Sequence, residues 1–183
     1  MERPQVRFTY EDYRQLPDDG QRHEVLDGEH VVSPAPSRRH QQVLKRLAVS
    51  LVLHVEGERR RGEVYFAPFD VLLADDNVVQ SDLIFVTEAR QALFSARGLE
   101  GAPDLVVEVL SPSTRARDRG KKREVYARFG VRELWLVDPD AGTVDLFTLA
   151  AGQLAHAGTF GPGDVLVTPL LADLRLDLAA VFA

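Results

Sequence analysis

Two apolar segments constrain the fold of this chain more than any other feature of its sequence. Residues 78–86 and 104–110 are dominated by aliphatic and aromatic side chains, which is typical of strands that are covered on both faces. Each segment is interrupted by one acidic residue, Asp82 in the first and Glu108 in the second. An unpaired carboxylate buried in such a strand costs several kcal/mol. Each acid must therefore lie at a strand end in water, pair with an arginine, or share a cation with the other.

The rest of the chain alternates between helix and strand signals. A hairpin is predicted over residues 22–32, with its turn at Asp27-Gly28. Ser37 is a predicted N-cap, and the apolar residues from Val43 onwards repeat at helical spacing, which indicates a long helix. A second helix is predicted over residues 116–129, where Gly130 ends it.

The remaining elements are shorter. Further strands are predicted at residues 64–73, 134–137 and 144–149, a short helix at residues 88–96, and a β-rich tail at residues 152–183. The sequence contains no repeat, low-complexity tract or linker. We therefore expect one α/β domain over residues 1–183 with a mixed sheet.

The composition restricts the kinds of site that the chain can build. It contains no cysteine, so disulfides, thiolate-ligated zinc and a cysteine nucleophile are excluded. Any metal must bind through oxygen or imidazole. Residues 1–4 lack the apolar core of a signal peptide, and no apolar run approaches the ~20 residues of a membrane span. We therefore expect a cytoplasmic protein without a membrane partner.

The net charge of −6 argues at first against a nucleic-acid partner, because phosphate binders usually carry a basic patch. Residues 133–183 hold seven of the 28 acidic residues and one of the 22 basic residues, so the first 132 residues carry 21 of each. Eight basic residues fall within residues 115–132. Together with the polar side of the first long helix, they are the expected phosphate-facing surface, with Arg117 and Arg123 as candidate nucleic-acid contacts. The acidic tail, residues 133–183, is then expected to turn away or to be used for self-association. The alternative is that this charge run is a solvated face.

Lys122 is a third candidate for the site of Asp82 and Glu108. On the predicted second helix it shares one face with Tyr126 and other apolar residues, and such a face packs inward. A lysine directed at two carboxylates around a divalent cation would orient an attacking water or stabilise the transition state of phosphodiester cleavage. Its replacement by alanine is then expected to spare folding. The alternative is an Asp118–Lys122 pair on the surface, which would contribute ~0.3–0.5 kcal/mol.

An ordered set of motifs resembles the Uma2 family, the former DUF820 group. The motifs are HEVLDGE at residues 23–29, QSDLIFV at residues 80–86, PDLVVEVLSPST at residues 103–114, D-x-x-x-K-x-x-x-Y at residues 118–126 and GVRELWLVDP at residues 130–139. His40 and Asp70 also match. Each motif is weak alone, but the set in this order is specific. The resemblance spans about residues 8–183.

The resemblance implies a PD-(D/E)XK nuclease core with a restriction-endonuclease-like fold, a mixed β-sheet flanked by helices, here with an additional N-terminal hairpin and a β-rich C-terminal segment. In that superfamily an Asp and a second acid on adjacent strands bind Mg²⁺, for which Mn²⁺ can substitute, and Asp82 and Glu108 match these positions. A lysine normally follows the second acid by two positions, but Leu110 stands there. The resemblance therefore suggests that Lys122 replaces that lysine. Ser81 stands where the motif usually has proline.

Four further residues are candidates near the site. Glu24 matches a catalytic-site acid of the family, although a hairpin residue could equally form a solvated pair with an arginine. His40 is expected as a substrate contact or as a structural histidine. Asp70 is expected as a metal or supporting residue or as the carboxylate of a turn at a strand end. Tyr126 is expected to pack one helical turn after Lys122, with its hydroxyl bonded near the site.

The predicted function is a Mg²⁺-dependent endonuclease that hydrolyses nucleic acid, with DNA favoured as the partner. The alternative is a catalytically silent nucleic-acid-binding module that keeps the fold. A third class, a pair of carboxylates that cleaves a glycoside, lacks the aromatic-rich groove of a sugar binder, since aromatic residues are only 8% of the chain. A homodimer is left open.

Overall fold

The computed structural model describes residues 7–57 and 61–183. The prediction about a signal peptide at residues 1–4 lies outside these residues. The α-helices are α1 (Tyr10–Tyr13), α2 (Arg38–Val55), α3 (Arg115–Arg117), α4 (Arg123–Phe129) and α5 (Leu178–Phe182), with a 3-10 helix at Glu88–Leu93 and a π-helical turn at Asp118–Lys122. The strands are β1 (Arg22–Leu26), β2 (Glu29–Ser33), β3 (Gly62–Phe66), β4 (Val71–Ala74), β5 (Asn77–Val79), β6 (Leu83–Thr87), β7 (Phe94–Ser95), β8 (Gly98–Glu100), β9 (Leu105–Val109), β10 (Glu133–Asp138), β11 (Thr143–Ala150), β12 (Gln153–Phe160), β13 (Val165–Leu166) and β14 (Leu176–Asp177).

A six-stranded main sheet in the order β12-β11-β10-β9-β6-β3 forms the centre of the fold. β9 and β10 are parallel, and the other neighbours are antiparallel. Side chains alternate between the two faces of a strand. Val107 and Val109 of β9 therefore pack with Leu47 of α2 in one core, while Val106 packs with Tyr126 of α4 in the other. Glu108 lies on the same face as Val106, towards α4.

A second mixed sheet has the order β2-β1-β5-β4-β8-β7. The hairpin predicted over residues 22–32 is confirmed as β1 and β2. Asp27 and Gly28 adopt positive φ values of 52° and 77°, as a two-residue hairpin turn requires. The N-cap prediction is also confirmed, because the Ser37 side chain accepts a hydrogen bond from the His40 backbone N–H at the start of α2.

The prediction of one continuous strand over residues 78–86 is wrong. β5 pairs with β1 and β4 in the second sheet, whereas β6 pairs with β3 and β9 in the main sheet. The chain passes between the sheets at residues 80–82, so Asp82 lies just before β6 rather than within a strand. The strand predicted over residues 64–73 divides in the same way into β3 and β4. Apolar residues on both sides of each crossing conceal it, because both sheets bury their strands.

The second predicted helix has the expected extent but not a uniform form. It runs from α3 through the π-helical turn to α4, and Gly130 ends it with a φ of 86°. Single π turns inside α-helices occur frequently at functional sites. This one buries Asp118 and Lys122. The short helix predicted at residues 88–96 is a 3-10 helix that ends at Leu93, and β7 follows it.

The expectation that the acidic tail turns away from the basic residues is wrong. Arg39 of α2 donates from NH2 to the carbonyl of Phe182 at 2.6 Å, so the end of the chain packs on α2. Arg115 NH1 lies 2.6 Å from Asp138 Oδ2. Arg119 NH1 likewise pairs with Asp145 at 2.9 Å. Two acids of the tail, Asp138 and Asp145, thus pair with two basic residues of the helix, because paired charges cost less than unpaired ones at a partly buried contact. Within the described residues, no helix has both the length and the apolar character needed to cross a membrane.

Candidate catalytic and metal site

A cavity of about 220 Å³ lies where β6 begins and β9 ends. The pairing of Leu83 with Val107 places Asp82, just before β6, beside Glu108 of β9. The start of α2 and the π-helical turn close the other sides. The charged and imidazole side chains that line this cavity are Arg22, His40, Asp82, Glu108, Arg117, Asp118, Lys122 and Asp140.

Asp82 is almost completely buried, and both of its carboxylate oxygens accept hydrogen bonds. Arg22 NH1 donates to Oδ1 at 2.7 Å. Oδ2 accepts from the backbone N–H of Val109 at 2.8 Å and contacts His40 Nε2 at 3.1 Å. Burial alone would raise the pKa of Asp82, but the His40 hydrogen bond, the Arg22 charge and the Val109 N–H outweigh it and lower the pKa to about 2. The carboxylate is therefore ionised at neutral pH.

Lys122, which also lines the cavity, joins Glu108 to the fully buried Glu24. Its Nζ lies 2.9 Å from Glu108 Oε1 and 2.8 Å from Glu24 Oε1. The Tyr126 hydroxyl donates to Glu108 Oε1 at 2.5 Å and lies 2.9 Å from Ser81 Oγ. Glu24, Glu108 and Lys122 are each at most 2% exposed. The alternatives of a surface Asp118–Lys122 pair and of a solvated Glu24 are wrong, because all of these side chains are buried.

The buried acids outnumber the cations that pair with them at this site. Burial raises the pKa of Glu108 to about 7, and the charges of Asp118, Asp82 and Glu24 add to this effect while Lys122 opposes it. Burial would lower the pKa of Lys122, but Glu108 and Glu24 outweigh it, and the pKa lies well above its usual value. The lysine therefore stays charged. Four carboxylates face three cations here, which leaves one excess negative charge when all are ionised. The four carboxylates are Glu24, Asp82, Glu108 and Asp118, and the three cations are Arg22, Arg117 and Lys122.

The donor set fits a hard divalent cation, with one qualification that concerns Asp82. Mg²⁺ is commonly held by one or two carboxylates, with water and substrate phosphate completing its shell. Across residues 7–57 and 61–183, no group of three or more His, Asp or Glu side chains is arranged so that it could hold a metal ion. Asp82 and Glu108 line one cavity, and Glu24 Oε2 is buried without a hydrogen-bond partner. Asp82 Oδ1 already accepts a hydrogen bond from Arg22.

Three of the weaker candidates have clear positions. His40 contacts Asp82 directly, and Tyr126 contacts Glu108 directly. Asp70 does not line this cavity. Its Oδ1 accepts hydrogen bonds from the Tyr13 hydroxyl at 2.6 Å and from Gln80 Nε2 at 2.8 Å, beside a neighbouring cavity of about 580 Å³.

The structure separates the two predicted nucleic-acid contacts. Arg117 lines the cavity and donates to Ser33 Oγ at 2.5 Å. The Arg123 guanidinium instead lies 5.2 Å from the centre of the Phe147 ring. The other basic residues of the run pair with acids of this chain. Arg115 pairs with Asp138, Arg119 with Asp145, Lys121 and Arg128 with Asp27, and Arg132 with Asp104. The expected phosphate surface is therefore largely neutralised, and of the run only Arg117 and Lys122 line the cavity.

Two features of the site were not predicted from the sequence. One is the presence of Arg22, and the other is the burial of Asp118. Arg22 precedes Glu24 by two residues in β1, and residues two apart in a strand point to the same face. This spacing was the available signal. Asp118 shares a helical stripe with Lys122, but the π-helical turn that buries both leaves no pattern in the apolar residues.

Known proteins resemble this chain over nearly its whole length. Residues 10–179 match the model of the Uma2 family, which bears the description "Putative restriction endonuclease". A protein of Synechocystis sp., named "Uncharacterized protein slr1290", is 27% identical over 97% of this chain and 88% of its own length. The crystal structure of a "putative nuclease belonging to DUF820" from Anabaena variabilis is 20% identical and has a TM-score of 0.80, over 96% of this chain and 97% of that chain. The predicted class of fold is thereby confirmed.

Proposed function

This chain belongs to the Uma2 family, and from that premise we propose that it is a Mg²⁺-dependent endonuclease that hydrolyses phosphodiester bonds of DNA. Asp82 and Glu108 hold the cation, and Lys122 and Glu24 complete the catalytic group. The observation that carries the proposal is the convergence of Asp82, Glu108 and Lys122 on one cavity from three separate elements. The description of the family and the fold of the DUF820 relative support it.

The metal contributes one part of this chemistry. When bound, Mg²⁺ supplies positive charge that offsets the charge developing on the scissile phosphate. The excess negative charge of the buried acids favours its binding.

Lys122 acts as a fixed donor and not as a base. Glu24 and Glu108 keep its ammonium protonated, so it cannot take a proton from water near neutral pH. An ammonium has three N–H donors, and the contacts with Glu24 and Glu108 use two of them. The third is left for a water or phosphate oxygen in the cavity. A positive donor held in this way stabilises an oxyanion at no cost of reorganisation.

The remaining side chains hold the carboxylates in place. Tyr126 fixes Glu108 through a hydrogen bond to Oε1, and Ser81 in turn contacts the Tyr126 hydroxyl. His40 and the Val109 N–H fix Oδ2 of Asp82. Such partners restrict the rotamers of the groups that would bind metal and substrate.

The proposal is tested by incubating supercoiled plasmid DNA and a single-stranded RNA separately with the purified protein. We expect cleavage of the plasmid with Mg²⁺ or Mn²⁺ and none with excess chelator. Asp82→Asn and Glu108→Gln should each lower the rate by about 100-fold or more. Glu124→Gln is the matched control, because Glu124 is an exposed acid of α4. If both site variants cut the plasmid as fast as the parent, the assignment of the site is wrong.

The second candidate function is a nucleic-acid-binding module without catalysis. One observation favours it, since both oxygens of Asp82 already accept hydrogen bonds within the chain. This candidate predicts that DNA binds equally well with and without Mg²⁺, and that no cleavage occurs with either metal. The nuclease predicts metal-dependent cleavage that stops on addition of chelator.

A further inference from the structure

Arg22 lies among the buried acids where a cation would bind. Its NH1 donates to Asp82 Oδ1 at 2.7 Å. Burial would lower the pKa of Arg22, but the charges of Asp82, Glu108 and Glu24 outweigh it and raise the pKa. The same three carboxylates that stabilise the guanidinium would also favour a divalent cation.

We propose that Arg22 is a built-in competitor of the divalent cation: its guanidinium neutralises Asp82 in the metal-free protein and leaves Asp82 Oδ1 when the cation binds. This inference rests on the metal site proposed above. It adds a residue that neither the motifs nor the family description includes, and it assigns that residue an exchange with the metal.

The two oxygens of Asp82 differ in a way that selects Arg22 as the exchangeable partner. Oδ2 is held by the Val109 backbone and by His40, whose side chain is 7% exposed. Oδ1 is held by Arg22, whose side chain is 22% exposed. A backbone N–H in a buried sheet cannot withdraw, whereas a long and partly exposed side chain can change its rotamer. Oδ1 is therefore the oxygen that becomes available to a cation.

The surroundings give the displaced guanidinium a place to go. Arg22 lines the cavity of about 220 Å³ that contains Asp82 and also a neighbouring cavity of about 580 Å³. Arg22 is the first residue of β1, and rotation of its side chain leaves the backbone pairing of β1 with β2 unchanged. After the exchange its planar fork remains beside the cavity, where it can bind a phosphate through two N–H donors. Arg22 then neutralises the Asp82 carboxylate before the metal binds and contacts nucleic acid after it has bound.

The proposal is tested by measuring Mn²⁺ binding to the full chain by titration calorimetry in chelator-treated buffer. Arg22→Gln should bind Mn²⁺ about 10- to 100-fold more tightly than the parent, because a charge-assisted hydrogen bond no longer competes for Asp82. Arg117→Gln is the matched control. Arg117 is also a cation at this cavity, but it donates to Ser33 and lies 3.8 Å from Glu24 Oε2. Removal of the Arg117 charge should change the Mn²⁺ affinity by less than about threefold, since it alters only the electrostatic potential at the cation and no contact with Asp82.

The outcomes separate this proposal from the proposed function. If the parent binds Mn²⁺ and Arg22→Gln binds it equally or more weakly, Arg22 does not compete and the metal site stands. If Arg22→Gln and Arg117→Gln gain affinity equally, the loss of one positive charge near the site explains the gain, and the exchange is refuted. If none of the proteins binds Mn²⁺, the metal site and the exchange are both wrong.

A second measurement covers the case in which Arg22→Gln does not fold. The arginine Nε–Hε signals of the ¹⁵N-labelled parent are followed by nuclear magnetic resonance during a Mg²⁺ titration, and Arg22→Lys identifies the Arg22 signal by its loss. We expect the Arg22 signal to shift with saturation while the Arg117 signal stays in place. An Arg22 signal that does not move at saturating Mg²⁺ would refute the exchange.

Discussion

Lys122 Nζ lies 2.9 Å from Glu108 Oε1, and both side chains are almost completely buried. β9 carries Glu108 and the π-helical turn carries Lys122, so the contact joins the main sheet to the helix that covers it. A second acid, Glu24, shares the same ammonium from the second sheet. One lysine thus links three parts of the fold and is the shared cationic partner of two carboxylates. The group is at once a structural contact and the candidate catalytic centre.

Replacement of Lys122 should therefore destabilise the protein, contrary to the expectation from sequence that folding would be spared. Lys122→Met removes the partner of two buried carboxylates, and breaking a buried pair in this way costs ~3–5 kcal/mol. Urea unfolding followed by circular dichroism measures the free energy of unfolding. Lys45→Met is the control, because Lys45 is exposed on α2, and it should change this free energy by less than ~0.5 kcal/mol.

The double variant Lys122→Met/Glu108→Gln gives a sharper test of the same contact. It removes one of the two carboxylate charges that Lys122→Met leaves without their cation, so it should be more stable than Lys122→Met alone, although Glu24 stays without Lys122. Equal stability of the single and double variants would show that Glu108 is neutral in folded Lys122→Met at the pH of the measurement.

The stability of the metal-free protein should fall as the pH rises from about 5 to about 7.5. The pKa of Glu108 is raised from its ordinary 4.5 to about 7, so between these values the folded state binds more protons than the unfolded state. Stability from this group is full below pH 4.5 and is lost as the pH passes through 7. The lowered pKa of Asp82 acts in the opposite direction, but only below its ordinary value of 3.8. Thermal unfolding in chelator at a series of pH values measures the slope.

Glu108→Gln should flatten this dependence, because glutamine does not titrate. Saturating Mg²⁺ should also flatten it, since a bound cation favours the ionised carboxylate. A slope in Glu108→Gln as steep as that of the parent would assign the titration to another group, and Asp118 is the first alternative because burial raises its pKa as well.

Tyr126→Phe should lower the free energy of unfolding and raise the pKa of Glu108, while the other contacts of the site remain. The hydroxyl donates to Glu108 Oε1 at 2.5 Å and contacts Ser81 Oγ at 2.9 Å. Its loss leaves two buried groups short of a hydrogen bond, which costs ~1–3 kcal/mol. The ionised form of Glu108 also loses a donor, so the midpoint of the pH dependence should move upward. Tyr10→Phe in α1 is the control, because Tyr10 lies outside the cavity. An unchanged midpoint in Tyr126→Phe would show that the hydroxyl does not hold the carboxylate.

The sequence predicted most of the elements because they depend on local signals. The Asp27-Gly28 turn and the Ser37 cap are set by backbone preferences of single residues, and both predictions are confirmed. The division of residues 78–86 between two sheets was not predictable in this way. It depends on which strands Val79 and Leu83 pair with, and both segments are apolar in either case.

The charged residues of the candidate site also fall into those that the sequence predicted and those that it did not. Asp82 and Glu108 were identifiable because a carboxylate in an apolar segment demands a partner. The identity of that partner depends on contacts between residues far apart in the sequence. Arg22 reaches Asp82 across 60 positions of sequence. Its spacing from Glu24 indicates a shared face of β1, but no local pattern specifies the contact with Asp82. The pairing of the basic run with the tail acids was missed for the same reason, because Arg119 meets Asp145 only after β10 and β11 have folded back.

Arg117 and Arg123 should contribute unequally to nucleic-acid binding. Arg117 lines the cavity, so Arg117→Ala should weaken DNA binding and reduce the slope of log K against log salt by up to ~1, as expected for one lost phosphate contact. The Arg123 guanidinium packs over Phe147, so Arg123→Ala should leave the slope unchanged. Fluorescence anisotropy with a labelled duplex in Ca²⁺, at a series of salt concentrations, measures both. If the two variants lose affinity equally, the phosphate path follows the whole helix and not the cavity. If neither loses affinity, DNA binds at a surface that includes neither arginine.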